Sequence, residues 1–206
     1  MSEKQEATMI PLIEAGRREL GKLAAPLIAE RCGIEYSASK GEFQLEILGQ
    51  SYRVSYPSFV VRRAEEQSEA PLWFQALIIH YFTTADGASL AGEWVSLRQV
   101  PGGLFYEQAF QGYTGDRLAS FFGNDLERFK ATCSRMGGSP EDMGDASFSF
   151  LPLPRVPMTI VYWLGDEEFP PSAQFLFDSA VSHYLAIGAL TPLAARLSGM
   201  IIKEAR

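Results

Sequence analysis

The sequence predicts an α+β fold in a single globular domain over residues 1–206, with a mainly antiparallel sheet packed against several helices. Three observations lead to this expectation. Helical and strand-like segments are interleaved along the chain, hairpin patterns outnumber plausible βαβ units, and the length is sufficient for a sizeable core. An α/β fold is the alternative. Residues 1–8, which are largely polar, are expected to form a loose N-terminus.

An amphipathic helix is the first predicted element. Its apolar stripe recurs at helical spacing and comprises Ile10, Ile13, Leu20, Ala24 and Leu27. Proline lacks the N–H donor that a helix interior needs, so we expect Pro26 to bend this helix. Gly33 should end it, because glycine readily adopts the left-handed conformation of a helix C-terminus.

A β-hairpin follows, with a turn predicted at Gly49-Gln50. Apolar residues alternate on both sides of the turn, at Phe43, Leu45 and Ile47 and then at Tyr52, Val54 and Tyr56. The alternation predicts that the first three share one buried face. Residues 59–61 should continue the sheet, and the charged run 62–69 should form a solvated connection.

A central helix is predicted over residues 72–82. Pro71 is a typical helix start, and the segment is apolar nearly all round. Residues 88–115 combine large aromatic side chains with several glycines, so we expect an irregular segment with one short element around residues 104–111.

The next helix should begin at Asn124, whose spacing to Glu127 is that of a capping box, and should end at Gly137-Gly138. Its apolar stripe includes Cys133, for which we expect a buried and unreactive thiol.

The last third of the chain is predicted to contain two strands and two helices. The strands cover residues 148–151 and 158–164, where β-branched and aromatic residues are frequent. One helix should begin near Pro170-Pro171 after an acidic turn, and the other near Pro192.

Composition excludes several classes of protein. The chain has 18 Lys+Arg against 25 Asp+Glu, a net charge of −7, with 47% hydrophobic residues, which is an ordinary globular balance. It rules out a disordered chain or a collagen, and the acidic charge argues against nucleic-acid binding. The sequence shows neither a secretory signal nor a membrane span, so we expect a cytoplasmic protein. Cys32 and Cys133 are too far apart for a local zinc or iron–sulfur motif.

Several motifs together carry a resemblance to a known family. They are His80-Tyr81-Phe82 with Asp86-Gly87, Trp94-Val95-Ser96-Leu97-Arg98, Pro154-Arg155-Val156-Pro157, and Gly165-Asp166-Glu167-Glu168-Phe169-Pro170 ahead of Leu176-Phe177-Asp178. In order and spacing the chain resembles the family called domain of unknown function 3786, over roughly residues 15–200. The resemblance implies an anaerobic bacterial or archaeal source and a gene that lies near genes of corrinoid or one-carbon metabolism. A corrinoid or iron–sulfur protein is therefore the implied partner, and a corrinoid or other tetrapyrrole the implied ligand.

Trp163 and the acidic turn Asp166, Glu167 and Glu168 form the first candidate site. Carboxylates beside an aromatic wall suit a hard cation, an amine or general acid–base chemistry. The structural alternative is that they compensate the N-terminus of the following helix. We expect Asp166 or Glu168 to cap that helix and Trp163 to line the nearest pocket.

His80, Trp94 and Arg98 complete the candidate ligand-binding residues. His80 is either a satisfied core histidine or an axial ligand to a tetrapyrrole metal. Trp94 opens the aromatic and glycine-rich segment. Arg98 is able to hold a carboxylate or phosphate, or to pair with an acid such as Glu93. No catalytic residue or metal ligand is assigned.

The residues together with the family resemblance favour a ligand-binding accessory module, and it is the resemblance that implies a role in anaerobic metabolism. Two alternatives stay open: a small-substrate enzyme that uses Asp166–Glu168, and an interaction partner of a corrinoid or iron–sulfur protein without a ligand of its own.

Overall fold

The structure, a computed structural model, describes residues 3–66 and 68–206. It contains helices and two antiparallel sheets, which confirms the predicted α+β fold. The chain divides into two compact units. The first comprises the chain up to Ser89 with Leu153–Arg155 and His183–Ala189, and the second comprises Leu90–Pro152, Val156–Ser182 and Leu190–Arg206. The single domain expected over residues 1–206 stays a prediction. A loose N-terminus was expected at residues 1–8. Residues 1 and 2 lie outside the described residues, and α1 begins at Glu3.

The first unit is built from three helices and a four-stranded sheet. Its elements are α1 (Glu3–Leu20), α2 (Ala25–Cys32), β1 (Glu35–Ser37), β2 (Glu42–Ile47), β3 (Gln50–Ser55), β4 (Val61–Arg63) and α3 (Leu72–Thr84). The strand order is β1-β2-β3-β4. Helices α1 and α3 pack closely at Gly16, where a Cβ atom would lie 2.3 Å from Cγ2 of Ile79.

The predicted bent helix is two helices. The chain leaves helical geometry after Leu20, and Pro26 occupies the first turn of α2, where its missing N–H costs nothing. The predicted end at Gly33 is confirmed, with a left-handed φ of 63°.

The hairpin of β2 and β3 confirms the predicted buried face. Leu45 pairs with Tyr52, and Phe43, Leu45 and Ile47 are all buried. The turn lies one residue earlier than expected, at Leu48 and Gly49, whose φ angles are both positive (51° and 73°). This is the backbone twist that two-residue hairpin loops favour.

The second unit contains a five-stranded sheet in the order β5-β9-β8-β7-β6 and most of the remaining helices. Its elements are β5 (Trp94–Ser96), α4 (Glu107–Tyr113), α5 (Gly115–Phe122), α6 (Leu126–Arg135), β6 (Ser139–Glu141), β7 (Ala146–Leu153), β8 (Val156–Trp163), β9 (Ser172–Asp178) and α7 (Ile187–Glu204). Helix α7 begins in the first unit and continues into the second.

The helix predicted from Pro170-Pro171 is wrong, because this segment is the strand β9. Ala173, Phe175 and Phe177 are buried at every second position, and β9 pairs antiparallel with β8. The run Phe175-Leu176-Phe177 is apolar on both faces of a central strand, a pattern that is hard to tell from a buried helix.

Two helix starts differ in detail from the prediction. Asp125 caps α6, with Oδ1 accepting the N–H of Arg128 at 3.1 Å, so the cap lies one residue after Asn124. Helix α7 begins at Ile187, and Pro192 lies inside it. Cys133 is buried as predicted, and burial raises the pKa of its thiol to about 12.

Candidate functional site

The predicted site residues fall in different units. His80 lies on α3 in the first unit, whereas Trp94, Arg98, Trp163 and the acidic turn belong to the second. We therefore describe a site in each unit, beginning with the acidic turn.

Asp166 closes the acidic turn on itself. Its Oδ1 accepts the N–H groups of Glu168 and Phe169, both at 2.8 Å, and its own N–H donates to the Phe169 carbonyl. The Phe169 and Glu168 N–H groups lower the pKa of the Asp166 carboxyl. The expected helix cap is wrong, since no helix follows. Asp166 caps a turn instead.

The turn is also fixed from outside. The N–H of Gly165 donates to Oδ1 of Asn124 at 2.8 Å, Nδ2 of Asn124 donates to the Gly165 carbonyl at 3.1 Å, and the N–H of Leu164 donates to Asp145 at 2.7 Å. A Cβ at position 165 would lie 2.6 Å from Pro171, so only glycine fits. Glu167 and Glu168 remain exposed. This scaffold holds Trp163 at the end of β8.

Trp163 lines a cleft in the second unit, as predicted. The side chain is 36% exposed, and the cleft has a volume of about 490 Å³. The other lining residues are Glu107, Gln108, Gln111, Asp116, Ser172, Ala173 and Gln174. The three predicted acids at 166–168 do not line this cleft.

Arg98 reaches the cleft through an acid. Its Nε lies 3.4 Å from Oε2 of the cleft residue Glu107 rather than pairing with Glu93. Trp94 is not brought to the cleft, because it pairs with Asp178 at one end of β9 while Trp163 pairs with Ser172 at the other. At about 3.4 Å per residue these ends lie roughly 20 Å apart.

A second, apolar groove lies in the first unit. Its volume is about 560 Å³. It is lined from α1, from α3 and from the start of α7, by Met9, Leu12, Ala15, Gly16, Glu19, Trp73, Ala76, Leu77, Ile79, His80, Thr83, Ala186, Gly188 and Ala189. The helix α3, which the sequence predicted to be central, therefore opens partly onto this groove.

Among the residues that line the groove, His80 is the histidine. Its Nε2 accepts the N–H of Ala186 at 3.2 Å, so in the neutral ring the proton is on Nδ1. Burial lowers the pKa of the imidazole, which favours that neutral form. The groove lining includes one carboxylate, Glu19, and no Lys or Arg.

The structure contains a histidine–aspartate pair that was not predicted from the sequence. Nδ1 of His183 lies 2.7 Å from Oδ2 of Asp86, and this contact, followed by the N–H of Ala88 on Oδ1, lowers the pKa of Asp86. The two residues are 97 positions apart, so no local spacing predicts their contact. Asp178, which lies five residues before His183, is instead a buried acceptor for the N–H groups of Ala91, Gly92 and Ala180.

Side chains that could bind a metal ion are not clustered in the described part of the chain. No group of three or more His, Cys, Asp or Glu side chains there is placed to hold an ion. None of the described helices combines the length and apolar character needed to cross a membrane.

The chain matches a known protein family. The profile of the family described as Domain of unknown function (DUF3786) matches residues 25–200. No curated protein and no solved structure matches the chain.

Proposed function

We propose that this chain, which belongs to the family called domain of unknown function 3786, is a ligand-binding module. The observation that carries the proposal is the groove between α1, α3 and the start of α7. Its volume of about 560 Å³ lies within the range of small-molecule sites, roughly 300–1,000 Å³, and its walls are mainly apolar with few polar groups.

The charges around the groove select a neutral ligand. An anionic head group would meet the Glu19 carboxylate, and no lining cation would compensate it. A cation would gain little from Glu19, since this exposed carboxylate already pairs with Lys22 at 2.7 Å. The Nδ1–H of His80 is a donor, so the ligand is an apolar molecule that carries a hydrogen-bond acceptor.

The implied tetrapyrrole does not fit through axial ligation by His80. Coordination by Nε2 needs the lone pair that accepts the Ala186 N–H, and coordination by Nδ1 needs the proton moved to Nε2, which breaks the same bond. A corrinoid or other tetrapyrrole therefore belongs to this proposal only as a flat ligand held by apolar contacts and the His80 donor.

An interaction partner is a second candidate function, which one observation favours. Three exposed apolar side chains, Leu104, Phe105 and Tyr106, precede α4 in sequence. Phe105 is 91% exposed. Aromatic side chains at protein interfaces often dominate binding. A corrinoid or iron–sulfur protein is the partner that the family resemblance implies. Replacing Phe105 with Ser should weaken a measured complex with such a protein without changing the melting temperature.

A neutral dye with a carbonyl acceptor, Nile red, tests the ligand-binding proposal. Titration followed by fluorescence should show saturable binding to the wild type, and Ala76→Trp, which fills the groove from α3, should weaken it at least tenfold. Ala131→Trp, at an exposed position of α6, is the matched control and should bind like the wild type. Equal dye affinity of Ala76→Trp and Ala131→Trp would contradict the proposal.

His80 is tested separately. His80→Phe keeps an aromatic ring but loses the donor, and should weaken dye binding about fivefold, the effect of one hydrogen bond of about 1 kcal/mol. His80→Gln keeps an N–H donor and should lose less.

A further inference from the structure

We propose that the cleft beside Trp163 in the second unit binds a saccharide, that is, an uncharged ring with several hydroxyl groups. This inference is independent of the groove in the first unit, because it rests on other residues and on another ligand chemistry. Three properties of the cleft carry it: its aromatic wall, its fixed polar groups and its balance of charge.

Trp163 supplies an aromatic wall on a well-fixed stretch of backbone. Its backbone pairs with Ser172 in the β8–β9 ladder, and the next two residues are fixed by Asp145 and Asn124. A sugar ring carries C–H groups across its face and hydroxyls around its rim. It can therefore pack its face on an indole while its rim stays polar.

Gln111, another residue that lines the cleft, has an amide group whose position is fixed by two hydrogen bonds. Its Nε2 group donates to Oδ1 of Asp116 at 2.9 Å and to the carbonyl of Ala173 at 2.7 Å. Both amide protons are thus used, and Oε1 is left to accept a hydroxyl proton. An acceptor held in this way loses little side-chain entropy when a ligand binds.

Other lining groups can serve the remaining hydroxyls. Gln108 and Gln174 each offer an amide donor and acceptor, and Ser172 offers a hydroxyl. A sugar hydroxyl both donates and accepts, so it matches these mixed groups better than a ligand that only donates or only accepts.

The charge balance of the cleft favours a neutral ligand over an ion. Glu107 is compensated by Arg98 at 3.4 Å, and Asp116 accepts from Gln111. Asp116 is exposed, so water screens its attraction for a cation, and the carboxylates disfavour an anion. The volume of about 490 Å³ again falls in the range of small-molecule sites.

Fluorine NMR of protein labelled with 5-fluorotryptophan tests this proposal. The chain has three Trp residues, and Trp163→Phe assigns the signal of the cleft. The probes are maltotriose, chitotriose and tetramethylammonium. At least one trisaccharide should shift the Trp163 signal saturably at millimolar concentration, while the signals of Trp73 and Trp94 stay unchanged.

A matched pair of variants locates the site. Gln108→Ala, at an exposed position of the cleft, should weaken trisaccharide binding severalfold, whereas Gln44→Ala, at an exposed position of β2, should not change it. A shift with tetramethylammonium alone, no shift with either trisaccharide, or equal affinities of the two glutamine variants would overturn the proposal.

Discussion

His80 owes its chemistry to one backbone hydrogen bond. The N–H of Ala186 on Nε2 makes this ring a donor through Nδ1 and removes it as a ready metal ligand. The sequence could place His80 on an apolar helix, but residue 186 is 106 positions away, so the tautomer could not be inferred from spacing.

The lowered pKa of His80 predicts a pH dependence of stability. Burial holds the folded-state pKa below the unfolded value of 6.5, so the unfolded chain binds the proton first as pH falls. The stabilisation from the neutral His80 ring is therefore complete above the unfolded-state pKa. It is lost as pH falls from that value to the lower folded-state pKa. The free energy of unfolding, measured with urea between about pH 7.5 and 5.5, should fall more for the wild type than for His80→Gln. Identical pH profiles would contradict this assignment.

Asp178 is predicted to be a stability residue rather than a catalytic one. It is buried, and its carboxylate accepts the N–H groups of Ala91, Gly92 and Ala180 at 2.8–3.0 Å. Asp178→Ala leaves these donors without their acceptor and should cost about 3 kcal/mol or more in the free energy of unfolding. Asp178→Asn keeps one acceptor oxygen and should cost less. The exposed Asp142→Ala is the control, and a similar loss there would refute the prediction.

Elements with a clear local period were predictable, and those that depend on a partner were not. The hairpin of β2 and β3 was readable because one strand face alternates with the other. The strand β9 was not, because Phe175-Leu176-Phe177 fits either a helix or a buried strand until β8 lies beside it. The acidic turn was correctly expected to contain a capping carboxylate, but Asp166 caps the turn itself and not a helix.

The hairpin turn itself carries a prediction. Leu48 has a φ of 51°, a conformation that Asn adopts at lower cost than Leu, and Gly49 follows at 73°. Leu48→Asn should raise the free energy of unfolding by about 0.5 kcal/mol, whereas Gly49→Ala should lower it by about 1 kcal/mol. Urea unfolding of the two variants measures both. Destabilisation by Leu48→Asn would show that the Leu48 side chain matters more than its backbone strain.

At the scale of the whole molecule, the sites are assembled from distant segments. The groove joins residues near positions 9–19, 73–83 and 186–189, and the cleft joins 107–116 with 163–174. Single residues such as Trp163 and His80 could be nominated from sequence. Their companions could not, because such contacts depend on tertiary packing that local patterns do not encode.

The sequence expectation of a single domain predicts one cooperative unfolding transition. The chain passes repeatedly between the two compact units, and α7 belongs partly to each, so neither is a continuous segment that could fold from its own stretch of chain. Trp73 reports on the first unit, and Trp163 reports on the second. Two variants are needed, one that keeps only Trp73 and one that keeps only Trp163, with the other tryptophans replaced by Phe. In each variant, the urea midpoint from fluorescence should coincide with the urea midpoint from circular dichroism. Fluorescence and circular dichroism midpoints that separate within a variant would mean that the two units unfold independently as two domains.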